Sequence, residues 1–249
     1  MTEVDAEFVK QDVDAVFHAA QLCCSVRFAH KRFWEEESVE NKYCERIYAG
    51  KPRLESVADH SWHVADAVLI IGPRFPALDL AKGTMLAVLH DKLELWSGDA
   101  SPLGRNGDGT KSFAFNAVAQ QSRSEAEREA GRRYLETLSG LTLDFQRNLI
   151  NELLQDETVA AQFVRAIDKL QVFVYLIRRK AGKMSDQHIA FNLRYALKYV
   201  SRVDGLRPYY DEMVHRLLEI VAAQRGQDLG ALKLQFRDSI EPAQRELGL

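Results

Sequence analysis

Cysteine is scarce in this sequence. Only Cys23, Cys24 and Cys44 occur, and none of them forms a CxxC pair. An odd count without metal-ligand spacing argues against a disulfide framework and against a cysteine-based zinc site. We therefore expect a reduced, cytoplasmic protein in which the vicinal pair Cys23 and Cys24 is buried in the core as small apolar side chains.

Long hydrophobic runs and a strong charge of one sign are also missing. Runs such as residues 65–72 are broken by Asp66 and are too short to span a bilayer. The acidic N-terminus has no apolar segment of the kind found in signal peptides. A formal net charge of −3 gives no general attraction for nucleic acid polymers or anionic membranes, and we expect neither as a partner.

Helical periodicity is what the sequence does contain, and strand alternation is not apparent. Ser56 with Asp59 three positions later has the pattern of a helix capping box, and Gly98 is placed to end a helix. The sequence predicts an all-α fold in a single domain over residues 1–249. The expected helices cover about residues 5–27, 56–72, 78–95, 114–138, 142–155, 157–182, 186–201 and 206–224, with a short one after residue 227.

Residues 99–111 form the least regular stretch, because their Gly, Asn, Asp and Pro content favours turns. A loop of this length serves either as a lid over a substrate or as a plain solvated connection, and the sequence favours neither. The apolar stripes on the terminal helices are likewise consistent with a homodimer or with burial inside one chain.

Ionisable residues that suit a metal site occur in three separate segments. His60 lies near the start of one predicted helix, the adjacent pair His90 and Asp91 lies late in the next, and Asp168 lies in the middle of an apolar helix. Adjacent helical residues point about 100° apart, so both can bind one ion only if it lies beside the helix between them. The other ligands must then come from other helices.

An acid in the middle of an apolar helix, as Asp168 is, is costly to bury without a cation or a hydrogen-bond partner. Two imidazoles and two carboxylates make a mixed N/O site that suits one divalent transition metal ion, such as Mn, Co, Fe or Zn. Such an ion would activate a water molecule and polarise a phosphoryl group. Glu94, three residues after Asp91, is a candidate to orient that water or to act as general acid or base.

These motifs resemble the HD superfamily of metal-dependent phosphohydrolases, and within it the branch of 5'-deoxynucleotidases and HD-domain-containing protein 2. The branch shows S-V-x-[ED]-H-S, then H-D-x-x-E-x-x-x-G-D, then a distant Asp. This sequence reads SVADHS over residues 56–61, HDKLELWSGD over residues 90–99 and IDK over residues 167–169. The resemblance covers about residues 40–200 and implies a helical HD-domain bundle with extra N- and C-terminal helices.

The resemblance implies roles for further residues. His60, His90, Asp91 and Asp168 would bind the metal, and Asp99 would act with Glu94 as a catalytic acid. The dinuclear enzymes of this superfamily resemble one another in supplying extra His ligands from the interval between the His-Asp pair and the distant Asp. No His lies between Asp91 and Asp168, so the resemblance implies a mononuclear site.

Substrate contacts are predicted at Arg46, Arg53 and Pro102. The family places an Arg, usually beside a Trp, ahead of the first His to grip phosphate, and a planar guanidinium suits that task. In this sequence Arg46 is followed by Ile47. Lys92, inside the second motif, faces either the substrate or the solvent.

The expected function is therefore hydrolysis of the phosphate ester of a nucleotide, most simply a 5'-deoxynucleoside monophosphate. One alternative is an HD-type nucleoside triphosphate triphosphohydrolase, or a hydrolase of a modified or alarmone nucleotide. An alternative of another class is a metal-containing module that senses or binds a nucleotide without turnover. Glu94 and Asp99 favour an enzyme, since a binding module would not need both acids beside the metal.

Overall fold

Helices make up the regular structure in a computed structural model of the chain, which describes residues 6–27, 42, 55–104, 107–180 and 183–241. Within these ranges there is no β-strand, only an isolated antiparallel bridge between Val26 and Ser56. The predicted all-α class is confirmed. No helix in the described ranges combines the length and hydrophobicity needed to cross a lipid bilayer.

The α-helices follow the predicted order, and from Ser56 onward most of their ends fall within three residues of the predicted ones. Short 3-10 helices cover Gln21–Cys23 and Gly72–Arg74. The α-helices are α1 Ala6–Ala20, α2 Val57–Ile71, α3 Leu80–Leu89, α4 Glu94–Ser97, α5 Ala117–Leu135, α6 Gly140–Gln155, α7 Val159–Lys180, α8 Asp186–Val200, α9 Arg207–Arg225, α10 Leu229–Gln235 and α11 Arg237–Ile240.

The chain divides into two compact units, and each unit consists of several separate stretches of the sequence. The first unit contains the described parts of Met1–Phe28, Glu55–Ser101 and Ala117–Val164, and the second those of Ala29–Leu54, Pro102–Asn116 and Arg165–Leu249. The single domain over residues 1–249 stays a prediction.

In the first unit α2 packs against α3, and α5 packs against both α4 and α6. Val57, Val64 and Val68 of α2 are fully buried, as is Leu86 of α3. These residues recur at helical spacing, so one face of α2 lies against the core. This face fixes α2 and with it the orientation of His60.

The N-terminal helix is shorter than predicted. It ends at Ala20 because the chain then turns to pair with the start of α2, where Arg27 N donates to Glu55 O (2.9 Å) and Val57 N to Ser25 O (2.9 Å). The interpretation of Cys23 and Cys24 as core residues is wrong, since both are exposed. Three large apolar side chains of α1 are also exposed, namely Val13, Val16 and Phe17.

The single helix predicted over residues 78–95 is wrong, because it breaks at His90. Residues 90–93 form a turn, and α4 begins only at Glu94. The His90 Nδ1 atom lies 2.7 Å from the Ala87 carbonyl oxygen, which in a continuous helix would accept the amide of residue 91. The chain then tightens into bonds between residues three apart, such as Glu94 N to Asp91 O (3.0 Å). Gly98 ends α4 as predicted, with a φ of 72°.

In the second unit an aromatic cluster packs against the described residues on either side of the gap at residues 105–106. Leu103 and Ala114 are buried with Phe191 and Tyr195 of α8, and the Phe115 and Phe191 rings meet edge to face at 5.8 Å. Leu103, which belongs to the predicted loop over residues 99–111, is therefore packed within this cluster. A role as a substrate lid stays a prediction.

Gly109 allows this segment to turn. Its φ is 78°, its amide donates to Leu103 O (3.0 Å), and its carbonyl accepts from Ser112 Oγ (3.0 Å). An added Cβ would lie 2.4 Å from a ring carbon of Phe191. The turn therefore needs both the left-handed backbone and the absence of a side chain.

Replacing Gly109 with Ala should lower the free energy of unfolding by about 3 kcal/mol, the sum of the left-handed backbone cost and of overpacking. Urea denaturation followed by circular dichroism measures this change. Gly226→Ala is the matched control, since Gly226 has a φ of 63° with nothing within 4 Å of an added Cβ. Equal losses in the two variants would contradict the close approach to Phe191.

Candidate metal centre

His60 is placed by the start of α2. The Ser56 hydroxyl accepts the Asp59 amide (3.1 Å), and the Asp59 carboxylate accepts the Ser56 amide (2.9 Å), which confirms the predicted capping box. The His60 amide donates to Ser56 O (3.0 Å), so the residue belongs to the first helical turn. Its side chain is fully buried. The capping box therefore fixes the backbone at Asp59, the residue directly before His60.

His60, His90 and Asp91 come together in the first unit. One ligand atom from each lies within 4.8 Å of the others. Asp91 Oδ2 lies 3.6 Å from His60 Nε2 and 3.3 Å from His90 Nε2. The side chains of His60 and His90 are 0% and 1% exposed, whereas that of Asp91 is 18% exposed. The carboxylate is thus the member of the group that solvent or a substrate can reach.

Both imidazoles turn Nε2 toward Asp91 because Nδ1 faces elsewhere. His90 Nδ1 lies 2.7 Å from Ala87 O, and His60 Nδ1 lies 3.8 Å from Glu55 Oε2. In the tautomer that donates from Nδ1 to Ala87, a neutral His90 points a lone pair at the carboxylate of Asp91. A proton or a cation must then lie between these acceptors.

This donor set fits a divalent metal ion. Neutral imidazole suits Zn, Cu, Fe and Ni, and carboxylate suits harder ions, so the set admits several first-row metals. A backbone carbonyl or carboxylate behind Nδ1 is the usual outer partner of a metal-binding His. His60, His90 and Asp91 could therefore hold one ion, whose identity the donors do not fix.

Glu55 and Arg27 form a buried ion pair behind His60 that the sequence analysis missed. Arg27 Nη1 lies 2.9 Å from Glu55 Oε2, and the two side chains are 10% and 6% exposed. Glu55 directly precedes the N-cap residue Ser56, a signal that could have identified it. Nothing in the local sequence marks Arg27, since it reaches Glu55 by pairing of distant segments.

Glu94, the predicted acid or base, is the first residue of α4 and its side chain is 10% exposed. Its Oε1 lies 3.6 Å from Arg123 Nη2, and its Oε2 has no hydrogen-bond partner among the residues that the structure describes. Burial raises the pKa of Glu94 well above its usual value, and the charges of Asp91 and Asp99 raise it further. Arg27 and Arg123 oppose this shift.

The other predicted site residues differ in how they are placed. Asp99 follows Gly98 in the first unit, close enough for its charge to act on Glu94. Pro102 belongs to the second unit, where its carbonyl accepts from the Ser112 hydroxyl. Arg46 and Arg53 lie outside the described residues.

Lys92 lies over an aromatic ring of α5, and a contact with the substrate stays a prediction. Its Nζ lies 4.7 Å from the centre of the Tyr134 ring on α5, and burial lowers its pKa. The Trp96 ring lies between His18 and Tyr134, at 4.8 Å and 5.5 Å. These contacts attach the turn and α4 to their neighbours within the first unit.

Asp168, the predicted fourth ligand, lies on α7 in the second unit and is 3% exposed. Its carboxylate contacts the Lys169 ammonium, which also lies 5.4 Å and 5.5 Å from the centres of the Tyr195 and Tyr199 rings. Lys169 supplies the cation that a buried acid requires. The role of Asp168 as a metal ligand stays a prediction.

Comparisons with known proteins agree with this description. The family described as HD domain matches residues 41–206. A solved structure described as a predicted metal-dependent phosphohydrolase from Magnetospirillum magnetotacticum MS-1 is similar, with a TM-score of 0.50, 18% identity and coverage of 96% of each chain. No curated protein matches the chain significantly. At that identity the structural likeness supports the fold.

Metal binding by this group can be measured directly. Chelator-treated protein titrated with Mn or Co in a calorimeter should bind one ion, and His60→Ala, His90→Ala and Asp91→Ala should each weaken binding by more than about tenfold, since each removes a direct ligand. His63→Ala is the matched control, because His63 lies on the same helix but outside the group.

Unchanged affinity in the His90→Ala protein would contradict the centre. Asp168→Asn, measured in the same titration, tests the fourth ligand separately. A loss comparable to that of Asp91→Ala would establish Asp168 as a ligand, and wild-type affinity would exclude it.

Proposed function

Because the chain belongs to the HD domain family, we propose that it is a metal-dependent phosphohydrolase that cleaves the phosphate ester of a nucleotide. The observation that carries this proposal is the convergence of His60, His90 and Asp91 with the buried acid Glu94 nearby. The description of the similar solved structure as a predicted metal-dependent phosphohydrolase supports the reaction class. The nucleotide substrate, most simply a 5'-deoxynucleoside monophosphate, rests on the motif resemblance.

A divalent metal, when bound, lowers the pKa of a coordinated water and polarises a phosphoryl oxygen. His60, His90 and Asp91 would hold that ion, with Asp168 as the proposed fourth ligand. One ion suffices in this proposal, because the sequence has no His between Asp91 and Asp168 to bind a second.

Glu94 accepts the proton of the attacking water through Oε2. Burial and the charge of Asp91 raise its pKa, which makes the carboxylate a stronger base than an exposed Glu. A bound cation beside Asp91 would lessen the repulsion from that residue and keep Glu94 ionised before the reaction.

Asp99 supplies a proton to the leaving oxygen. Water adds to phosphorus, the bond from phosphorus to the ester oxygen breaks, and the products are an alcohol and inorganic phosphate. Arg46 or Arg53 would hold the phosphate oxygens by bidentate hydrogen bonds. The assignment of these roles comes from the motif resemblance, and the burial of Glu94 beside acidic neighbours supports its part.

A panel of nucleoside mono-, di- and triphosphates and alarmone nucleotides, assayed with Mn, Co, Fe and Zn, tests the proposal. Free phosphate from a monophosphate is the expected product. Pyrophosphate or triphosphate would favour the other HD-type hydrolases. Tight nucleotide binding without turnover would show a binding module and overturn the enzymatic proposal.

Glu94→Gln and Asp99→Asn should each lower kcat on the order of 100- to 10,000-fold while metal binding is retained, since each removes proton transfer but no proposed ligand. Steady-state kinetics and calorimetric metal titration measure the two properties. Glu125→Gln, an exposed acid on α5, is the control and should keep wild-type kcat. Activity in Glu94→Gln equal to that of the control would contradict a role for Glu94 in proton transfer.

A further inference from the structure

Arg123 on α5 contacts both ends of the short helix that carries Glu94. Its Nη2 lies 3.6 Å from Glu94 Oε1 at the start of α4, and its Nη1 donates to Gly98 O (3.2 Å) just after the end of α4. Its side chain is 16% exposed. The guanidinium thus spans α4 from its first residue to its C-cap.

The orientation of this guanidinium is set by its own helix. Arg123 Nε donates to Glu127 Oε1 (2.7 Å), four residues later on α5. Because the guanidinium is planar, a hydrogen bond at Nε also sets the directions in which Nη1 and Nη2 point. All three nitrogens of Arg123 are therefore engaged within the first unit, which leaves the residue suited to hold protein groups and not a substrate.

The helix that Arg123 spans, α4, is too short to be stable without contacts to the rest of the protein. A helix as short as α4, Glu94–Ser97, lacks the length at which isolated helices form in water. Its last carbonyls have no partner inside the helix, and a cation near a helix C-terminus stabilises them. Arg123 is such a cation, since it donates to the carbonyl of Gly98, the residue directly before Asp99.

We propose that Arg123 is a positioning residue for the reaction: it holds Glu94 through Oε1 and the chain before Asp99 through Gly98 O. This inference rests on the proposed function, in which Glu94 and Asp99 move protons. Because Arg123 contacts Oε1 as an ion pair at 3.6 Å, we assign proton transfer to Oε2 of Glu94. The alternative is that Arg123 only joins α4 to α5 and that its loss acts on stability alone.

A double-mutant cycle separates these two roles. The full-length protein is prepared as wild type, Arg123→Gln, Glu94→Gln and the double variant, and kcat and KM are measured on the substrate that the nucleotide panel identifies. A residue that acts through Glu94 loses its effect once Glu94 has been replaced, whereas a purely structural effect adds to that of Glu94→Gln.

We expect Arg123→Gln to lower kcat on the order of 10- to 100-fold with little change in KM, since a misplaced group costs rate in this range. The same substitution in the Glu94→Gln background should lower kcat by a smaller factor than in the wild type, since the effect through Glu94 is lost and only the effect through Gly98 O and Asp99 remains. Arg123→Lys, which keeps the charge but not the fork, should restore part of kcat.

Arg133→Gln is the matched control, since it removes the same charge from an exposed position on α5 where Arg133 pairs only with Glu129 among the contacts described for it. It should keep wild-type kcat. Additive effects in the cycle, or equal kcat in Arg123→Gln and Arg133→Gln, would overturn the proposal while leaving the phosphohydrolase activity in place.

Urea midpoints for the same four proteins give a readout that does not need turnover. Coupled shifts of the midpoints support the contact between Arg123 and Glu94, and purely additive shifts contradict it. If the wild type hydrolyses no nucleotide, the proposed function fails and with it the role in the reaction, but coupled midpoints would still show that Arg123 fixes Glu94.

Discussion

The cost of burying ionisable side chains is the constraint on which this structure depends. His60, His90 and Glu94 lie within the helical core of the first unit, with Asp91 beside them. A buried charge without a partner costs several kcal/mol, which is a large part of the stability of a domain, about 5–15 kcal/mol. Buried acids should therefore have compensating cations, and the described contacts supply them for Glu55 and Glu94.

The compensating cations come from distant parts of the chain. Arg27 neutralises Glu55 behind His60, and Arg123 faces Glu94. Each joins the motif to a helix or segment far away in sequence, so the same contacts that lower the cost of burial also fix the acids in place. Asp91 lies beside the imidazoles of His60 and His90.

The sequence predicted those features that depend on local chemistry. The capping box placed the start of α2, and apolar periodicity placed the helices from α5 to α9. The break at His90 was missed because it arises from one side chain that competes for a main-chain carbonyl, whereas periodicity continues across it. Motif spacing indicated His60, His90, Asp91 and Glu94, and the structure brings the first three together.

Arg27 and Arg123 could not be predicted, because neither belongs to a motif and both act across long stretches of sequence. The same reason explains the first-helix error. The chain after Ala20 leaves the helix to pair with residues 55–57, a tertiary interaction that has no local signal. Local periodicity alone favoured continuation to residue 27, and the competing pairing ended the helix earlier.

Buried acids are therefore not all equal evidence for a metal. The burial of Asp168 on an apolar helix is accounted for by Lys169, held in turn beside the Tyr195 and Tyr199 rings. The group formed by His60, His90 and Asp91 differs from Asp168 because hydrogen-bond acceptors face each other within it. With Nδ1 of His90 facing the Ala87 carbonyl, lone pairs of an imidazole and a carboxylate face each other over 3.3 Å. A proton or a cation must lie between them, and a divalent ion bound by His60, His90 and Asp91 would supply that charge.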